Sequence, residues 1–439
     1  MDDILRGYHV NAPTWFYLST LLIVAVFYRF GRIWSIRNFD LAFLMALSPG
    51  LLFVRANPDK PQFGYCWLFA ANGLLLVRLL LDVMFTRRPR LEQNLNSAGM
   101  AFLCGSALLF QTSKILTEQP DLAAVKTVRG AEELLKRQDV TRTQAADPKS
   151  ETGPAGRLLA TPVVPLSGGV EVVAARAMAI LSHLAVILGL IAVGRWHFSD
   201  THLGLAMATL YLLLPPTAFD VSKVNHLLPA ALIVWAVAVH ARPMVAGVLL
   251  GLACGTMFFP IFLLPIWMAF YWKRGSLKFG LALILTGAVL LFSLMLTSVD
   301  SMSFKRQTLG SIDWSVLKFQ TADGVGFWSL YDSAYRVPVF ATFLVLLCAL
   351  TIWPFKKNLE HLVSHSAAIV VATQFWYPHQ GGAYVLWYLP LMLIVTFRPR
   401  LGHLPLSQHV ADSAIGATSG DSNILKDVRI SYERAPTKR

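Results

Sequence analysis

The apolar positions of the chain form long uncharged runs and do not alternate with polar positions. A helix needs about 20 mainly apolar residues to cross a bilayer core of about 30 Å, whereas a membrane β-barrel needs a period of two. The pattern therefore predicts an all-α, polytopic transmembrane helical bundle. The runs lie near residues 14–30, 39–54, 65–85, 98–113, 174–194, 203–219, 226–241, 244–272, 279–297, 338–354, 362–377 and 384–397.

The composition agrees with this class. Hydrophobic residues make up 55% of the 439 residues, charged residues make up 14%, and the mean hydropathy is +0.54, which excludes a soluble domain of this length. Four cysteines lie far apart inside apolar runs, which indicates core residues rather than a disulfide or metal framework. The net charge of +13 lies mainly in loops and the tail. We therefore expect membrane lipid, and no nucleic acid, as a partner.

One apolar stretch decides the topology. Between Arg242 and Lys273 the chain carries no charge over 30 residues, or about 45 Å as one straight helix. It is either one tilted helix kinked at Pro260 or two short limbs, 244–256 and 258–272, that meet at the sequence TMFFP. Short limbs are tolerated only where protein or a water-filled cavity surrounds the break. The two-limb alternative therefore predicts a buried break beside a cavity on the outer side.

The positive charges favour the two limbs. Short loops with clustered Lys and Arg belong on the cytosolic side. One crossing per run would place the cluster at Lys273–Lys278 outside and would invert every later cluster. Two crossings in the stretch bring every cluster inside, which gives about 13 crossings, an outer N-terminus and a cytosolic C-terminus. The expected location is the inner (plasma) membrane of a bacterium. The clusters are Arg29–Arg37, Arg87–Arg90, Lys273–Lys278, Lys356–Lys357 and Arg398–Arg400.

This topology divides the chain into three parts. Residues 1–97 hold N-terminal transmembrane helices, and residues 98–397 form a transmembrane core with outer loops at 114–173 and 298–337. Residues 398–439 are rich in Ser, Asp, Lys and Arg and lack apolar periodicity, which predicts a disordered cytosolic tail.

The first outer loop contains the best candidate for a catalytic residue. Apolar residues at helical spacing with interleaved Lys and Arg predict an amphipathic surface helix over 121–138, its apolar side toward the membrane. The remainder of the loop is rich in Thr, Pro, Gly and Ala, which predicts irregular chain. Asp121, beside Pro120 at the start of the helix, is either an N-cap or a carboxylate held for catalysis.

Other outer segments supply candidate binding residues. Loop 298–337 mixes aromatic rings, Trp328 among them, with aspartates. That mixture is typical of sugar recognition and equally of an interfacial aromatic belt. The turns 219–229 and 377–384 are either ordinary solvated turns or the polar rim of the expected cavity. Their polar candidates are Lys223, Asn225, His226 and His379.

Two charges lie inside an apolar run. Arg78 and Asp82 are four residues apart and share a helix face near its inner end. This spacing favours a local structural pair over an ion pathway. Nucleotide-binding, nucleophile-elbow and zinc-protease motifs are absent from the sequence.

Two segments together resemble a known family. His226–Gly275 is HLLPAALIVWAVAVHARPMVAGVLLGLACGTMFFPIFLLPIWMAFYWKRG, and Tyr377–Ile394 is YPHQGGAYVLWYLPLMLI. They resemble the polyprenol-phosphate-mannose-dependent mannosyltransferases of the C-type glycosyltransferase (GT-C) superfamily. Members of that family carry a helix pair of the type AG-x-LLG-LA…K-x-x-P…LLP, and a last helix similar to Y-x-LW-x-LPL. The likeness covers about 98–397.

The resemblance implies inverting transfer of a sugar from a polyprenyl-phosphate donor to an acceptor at the outer membrane face. It places the family's outer-loop aspartate at Asp121, as general base or as a metal-supported acceptor ligand, with Glu118 as the fallback. A divalent cation is the one cofactor to consider, with Asp121 or His379 as ligand, although no ligand spacing supports a metal site.

One departure from the family pattern concerns the donor phosphate. The family's lysine before the hairpin proline is replaced by Met257. Lys223, Lys305 and Arg306 are the outer cations that can take over phosphate binding. Two alternatives stay open: a non-catalytic membrane scaffold of the same fold, which the missing lysine favours, and a lipid or sugar transporter, which predicts internal repeats that the sequence does not show.

Overall fold

The computed structural model describes residues 11–56, 61–84, 93–138, 152–272, 275–310, 314–317, 319 and 326–399. In these ranges the secondary structure is helical and contains no strand, so the predicted all-α class is confirmed. One compact unit extends to Pro399. The predicted tail beyond residue 399 lies outside the described residues. Its first residue, Arg398, is buried and ion-paired and so belongs to the folded bundle.

Eighteen α-helices lie in the described ranges. They are α1 Ala12–Phe27, α2 Ile36–Ala56, α3 Gln62–Leu80, α4 Ser97–Thr117, α5 Leu122–Lys136, α6 Pro154–Ala160, α7 Val163–Leu166, α8 Glu171–His197, α9 Thr201–Leu213, α10 Pro215–Phe219, α11 Val224–Ala238, α12 Pro243–Thr256, α13 Leu264–Tyr271, α14 Ser276–Leu296, α15 Ser301–Gly310, α16 Arg336–Ile352, α17 Leu359–Trp376 and α18 Val385–Phe397.

The apolar helices differ in length and in burial. Among the described helices, six are long and apolar enough to cross a membrane, and six further apolar helices are shorter. These lengths and compositions indicate an integral membrane protein. Three of the short helices, α9, α11 and α18, are buried along nearly their whole length. A helix that is apolar on all sides is stable only when other helices enclose it, so these three occupy the core, whereas α1 exposes apolar residues such as Tyr17 and Leu21.

The chain reverses direction within the uncharged stretch. Helix α12 ends at Thr256, a 3-10 helix spans Phe259–Leu263, and α13 follows. The Tyr271 hydroxyl donates to the His240 carbonyl at 2.6 Å, so the two ends of the stretch meet. A straight helix would hold them about 45 Å apart. The predicted hairpin is therefore present, although the count of 13 membrane crossings stays a prediction.

Protein covers the break in this hairpin. The Gly153 amide, at the start of α6, donates to the Thr256 carbonyl at 2.9 Å. Phe259 stacks on Trp387 with 4.3 Å between ring centroids. These contacts meet the requirement that irregular backbone at membrane depth be enclosed by protein. The predicted outer cavity is not what encloses the break.

Helix α5 departs from the prediction in its surroundings. It forms where expected, but Ala124, Val128 and Ala131 are buried and the helix packs against α8 and α6. Of the apolar residues on which the surface-helix prediction depends, Val128 is buried, whereas Leu122 and Leu135 are exposed. That the apolar side faces the membrane therefore stays a prediction. The prediction of irregular chain after α5 is wrong at α6 and α7. Helix α6 provides part of the apolar surface that α5 needs.

A cysteine-labelling experiment tests how the hairpin lies in the membrane. We expect Phe258→Cys, at the break, to react with an impermeant maleimide from the outer side, and Lys278→Cys to react only from the inner side. Gly275 is less suitable for the inner probe because its φ of 131° strains other residues and an added Cβ meets Pro243. Both probes are built in a chain whose four native cysteines are replaced. Labelling of both positions from one side contradicts the two crossings.

Candidate functional site

A buried aspartate is the centre of a charged cluster where α10 ends and α11 begins. Asp220 is 2% exposed. Its carboxylate accepts a hydrogen bond from the Arg55 guanidinium at the end of α2, and the Lys223 ammonium lies 3.0 Å away. Burial alone would raise the pKa of Asp220, but Lys223 and Arg55 outweigh it and hold this pKa below its ordinary value. Asp220 is therefore ionised.

A third cation reaches the same turn. The Lys114 ammonium, near the end of α4, donates to the Ala218 carbonyl at 2.5 Å and lies 3.6 Å from the Glu118 carboxylate. Three helices that are distant in sequence thus bring Arg55, Lys114 and Lys223 to one end of the bundle. We call this end the α5 end.

Asp121 stands apart from these ion pairs. It occupies the N-cap position of α5, but its side chain makes no capping hydrogen bond of normal geometry; the Ala123 amide is only close enough to act on its pKa. Burial raises the pKa of Asp121, and the charge of Lys223 and the Ala123 amide oppose that rise. Among the described residues it forms no ion pair, so Asp121 is a half-buried carboxyl with a raised pKa. Glu118, the fallback, is exposed.

Aromatic rings lie beside the charged cluster. The His226 ring, in the first turn of α11, is 5.1 Å from the Tyr384 ring and 5.9 Å from the Trp387 ring. Trp387 is held between Tyr384, at 4.2 Å, and Phe259. Both faces of its indole are therefore covered. We call His226, Tyr384, Trp387 and Phe259 the ring cluster.

Several buried polar atoms here have no hydrogen-bond partner among the residues that the structure describes. They are Asn225 Oδ1, His226 Nδ1 and Trp387 Nε1. Buried polar groups are nearly always paired with protein or with ordered water. The cluster therefore has hydrogen-bonding capacity that the protein itself does not use.

The remaining predicted residues are placed less favourably. Trp328 is buried, and its indole donates to the Phe375 carbonyl at 2.9 Å, so it fixes its loop to α17 rather than presenting a free ring. His379 is half-buried beside Tyr377, with 6.4 Å between ring centroids. Lys305 and Arg306 are exposed on α15, and neither pairs with Asp220.

Sequence reasoning missed Arg55 and Lys114 as members of the site, and it placed Asp220 only in the polar turn 219–229. Each of the three lies at the end of an apolar run that the predicted topology turns outward. That shared position was a usable signal. The pairing itself was not readable, because Arg55 and Asp220 are 165 residues apart.

The described part of the site contains no cluster of metal ligands. Within the described ranges, no three or more His, Cys, Asp or Glu side chains gather as a metal site would require. A pocket lined in part by Gly130, Arg157 and Thr297 has room for little more than one water molecule and does not include Asp121.

Comparison of this chain with protein-family models, with curated proteins and with solved structures finds no match. The candidate site consequently rests on its own geometry: one half-buried carboxyl without an ion pair, three cations around a buried aspartate, and a ring cluster with unused hydrogen-bonding atoms.

Proposed function

We propose that the chain is an integral membrane glycosyltransferase that moves a sugar from a polyprenyl-phosphate donor to an acceptor at the outer membrane face. The observation that carries this proposal is Asp121. Among the described residues it forms no ion pair, burial raises its pKa, and the charge of Lys223 acts on it, while Lys223 in turn pairs with Asp220. The proposal includes the GT-C-like fold, with about 13 crossings and the α5 end outside.

The proposed reaction assigns one role to each group. Asp121 takes the proton from an acceptor hydroxyl as the acceptor oxygen attacks the anomeric carbon of the donor sugar. The bond from that carbon to the phosphate oxygen breaks, and the polyprenyl phosphate leaves with one more negative charge. Arg55, Lys114 and Lys223 stabilise this charge as it develops. Asp220 holds Arg55 and Lys223 in place.

These cations can supply the positive charge that the family's lysine would provide at the position of Met257. The family-like lysine is missing there, but Arg55 from the N-terminal helices and Lys114 from α4 bring positive charge to the same end of the bundle. Lys305 and Arg306 remain candidates for a first contact with the phosphate, because both are exposed.

A non-catalytic scaffold is the second candidate function. Met257, which stands where the family pattern has a lysine, favours it. A scaffold predicts no sugar transfer under any donor, so one assay separates the two functions.

The test is sugar transfer by the purified protein in lipid nanodiscs, with a radiolabelled polyprenyl-phosphate hexose as donor. We expect transfer by the wild type, and a donor KM raised about tenfold or more in Lys223→Met, because a charge-assisted contact to phosphate is lost. Lys136→Met is the matched control, since Lys136 is an exposed lysine that pairs with Glu132 on α5. An inactive wild type with every polyprenyl-phosphate hexose supports the scaffold.

A further inference from the structure

The unpartnered atoms of the ring cluster share a local environment. Trp387 is 1% exposed and His226 is 5% exposed, and their rings are 5.9 Å apart. Asn225 directly precedes His226 at the start of α11. The centroid distance shows that the two rings are neighbours, so their unpartnered nitrogens lie in one buried region.

The hydrogen-bonding chemistry of the three atoms limits the chemical class of the ligand. The indole N–H of Trp387 only donates, the amide Oδ1 of Asn225 only accepts, and the imidazole of His226 does either according to its tautomer. A group that satisfies all of them must both donate and accept. A hydroxyl does so, whereas a fully ionised phosphate has no proton to donate to Asn225 Oδ1.

The same residues exclude recognition by ring stacking. Tyr384 and Phe259 cover the two faces of Trp387 at 4.2 Å and 4.3 Å. A sugar ring has no free indole face to lie on, so the contact must be made at the edge of the ring, through N–H. This distinguishes the site from an ordinary aromatic platform for a pyranose.

We propose that Asn225, His226 and Trp387 bind a hydroxyl group of the acceptor, which is a sugar or another polyol. This inference rests on the proposed function. The position of these residues agrees with the proposed function, because the charges of Lys223 and Asp220 act on both His226 and Asp121. The acceptor hydroxyls are thus held beside the group that removes the proton, while the cations serve the donor phosphate.

The test compares two tryptophans that are alike in chemistry. Trp376 is also fully buried with an unpartnered indole N–H, but it packs against Phe262, Phe340 and Phe343 outside the ring cluster. Trp387→Phe and Trp376→Phe each remove one unused N–H donor and keep an aromatic ring. Neither change removes a hydrogen bond to the described residues, but each leaves a void in a packed core. We therefore expect both variants to fold with melting temperatures lowered by similar amounts.

The measurements are binding and transfer. A panel of alkyl glycosides serves as acceptor probe, with Kd from titration calorimetry in nanodiscs and KM from the transfer assay. We expect Trp387→Phe to raise the Kd and the acceptor KM about tenfold, with the donor KM unchanged, and Trp376→Phe to leave all of them unchanged. Asn225→Leu should act in the same direction as Trp387→Phe.

The outcomes separate this inference from the proposed function. Equal glycoside binding by the two tryptophan variants, or no binding by the wild type, overturns the inference and leaves the three atoms to a bound water. The wild type can also bind glycosides in a way that depends on Trp387 and yet transfer no sugar. That result supports the hydroxyl-binding site and contradicts the proposed enzyme activity.

Discussion

Asp121→Asn is expected to lower the rate of sugar transfer by a factor of about 10² to 10⁴, the usual contribution of a general base, without unfolding the protein. Asparagine has the same shape as aspartate and is an equally good helix N-cap. The side chain of Asp121 makes no capping hydrogen bond that the change would remove. The measurement is kcat in nanodiscs, together with the apparent melting temperature.

A genuine cap is the matched control for this variant. Asp200 is the N-cap of α9, and its carboxylate accepts from the Leu203 amide at 3.0 Å. Asp200→Asn should leave both transfer and melting temperature close to those of the wild type. If Asp121→Asn is as active as Asp200→Asn, Asp121 is not the base, and Glu118 or the scaffold function takes its place.

The same carboxyl fixes the direction of the pH dependence. A general base works only when ionised, and burial raises the pKa of Asp121 above its ordinary value. Transfer should therefore fall as the pH drops through this raised pKa, at a higher pH than for an exposed aspartate. Lys223→Met removes a cation that opposes the rise, so the acidic limb of the profile should move to higher pH.

Much of the fold followed from two simple patterns. Run lengths predicted the helices, and the distribution of Lys and Arg predicted the reversal at residues 257–258, because each added crossing changes the side of every later loop. The same count of crossings predicted that Asp121 and Lys223 lie at one end of the bundle. These inferences needed no knowledge of which helices touch.

These patterns do not predict which side chains of different helices touch each other. Lys305 and Arg306 were expected to replace the missing lysine, but Arg55 and Lys114 are the cations that reach the Asp220 turn. Their position depends on how α2 and α4 pack against α9 and α10. The sequence also did not predict the burial of one side of α5. Helix α6, which packs against that side, lies in a stretch with the composition of a loop.

The sequence favoured a structural role for Arg78 and Asp82, and the geometry around Arg78 supports that role. The guanidinium donates to Asp40 at 2.8 Å and to Asp82 at 2.8 Å, and the Asp82 carboxylate also accepts from Arg398, which in turn pairs with Glu360 at 2.7 Å. The network joins α2 and α3 to α17 and α18. The boundary predicted at residues 97 and 98 stays a prediction, although helices on both sides of it belong to one compact unit.

Arg78→Met is expected to lower the free energy of unfolding by about 3–5 kcal/mol, because it takes the Arg78 guanidinium away from the buried Asp40 carboxylate, while Asp82 keeps its contact with Arg398. Arg55→Met is the matched control. It removes the same group from an aspartate, but the Arg55 side chain is 37% exposed where that of Arg78 is 7% exposed, and solvent screening limits the loss to about 1 kcal/mol or less. Denaturant titration in detergent micelles measures both values.

A double variant separates structural pairing from ion conduction. Asp40→Leu combined with Arg78→Met removes a buried pair as a whole, and apolar replacement of a complete pair often restores stability. We expect the double variant to be more stable than Arg78→Met alone. If Arg78→Met and Arg55→Met cost the same, the network does not hold the helices together. Proton or ion flux through liposomes that disappears in the stable double variant would then assign Arg78 to a transport pathway.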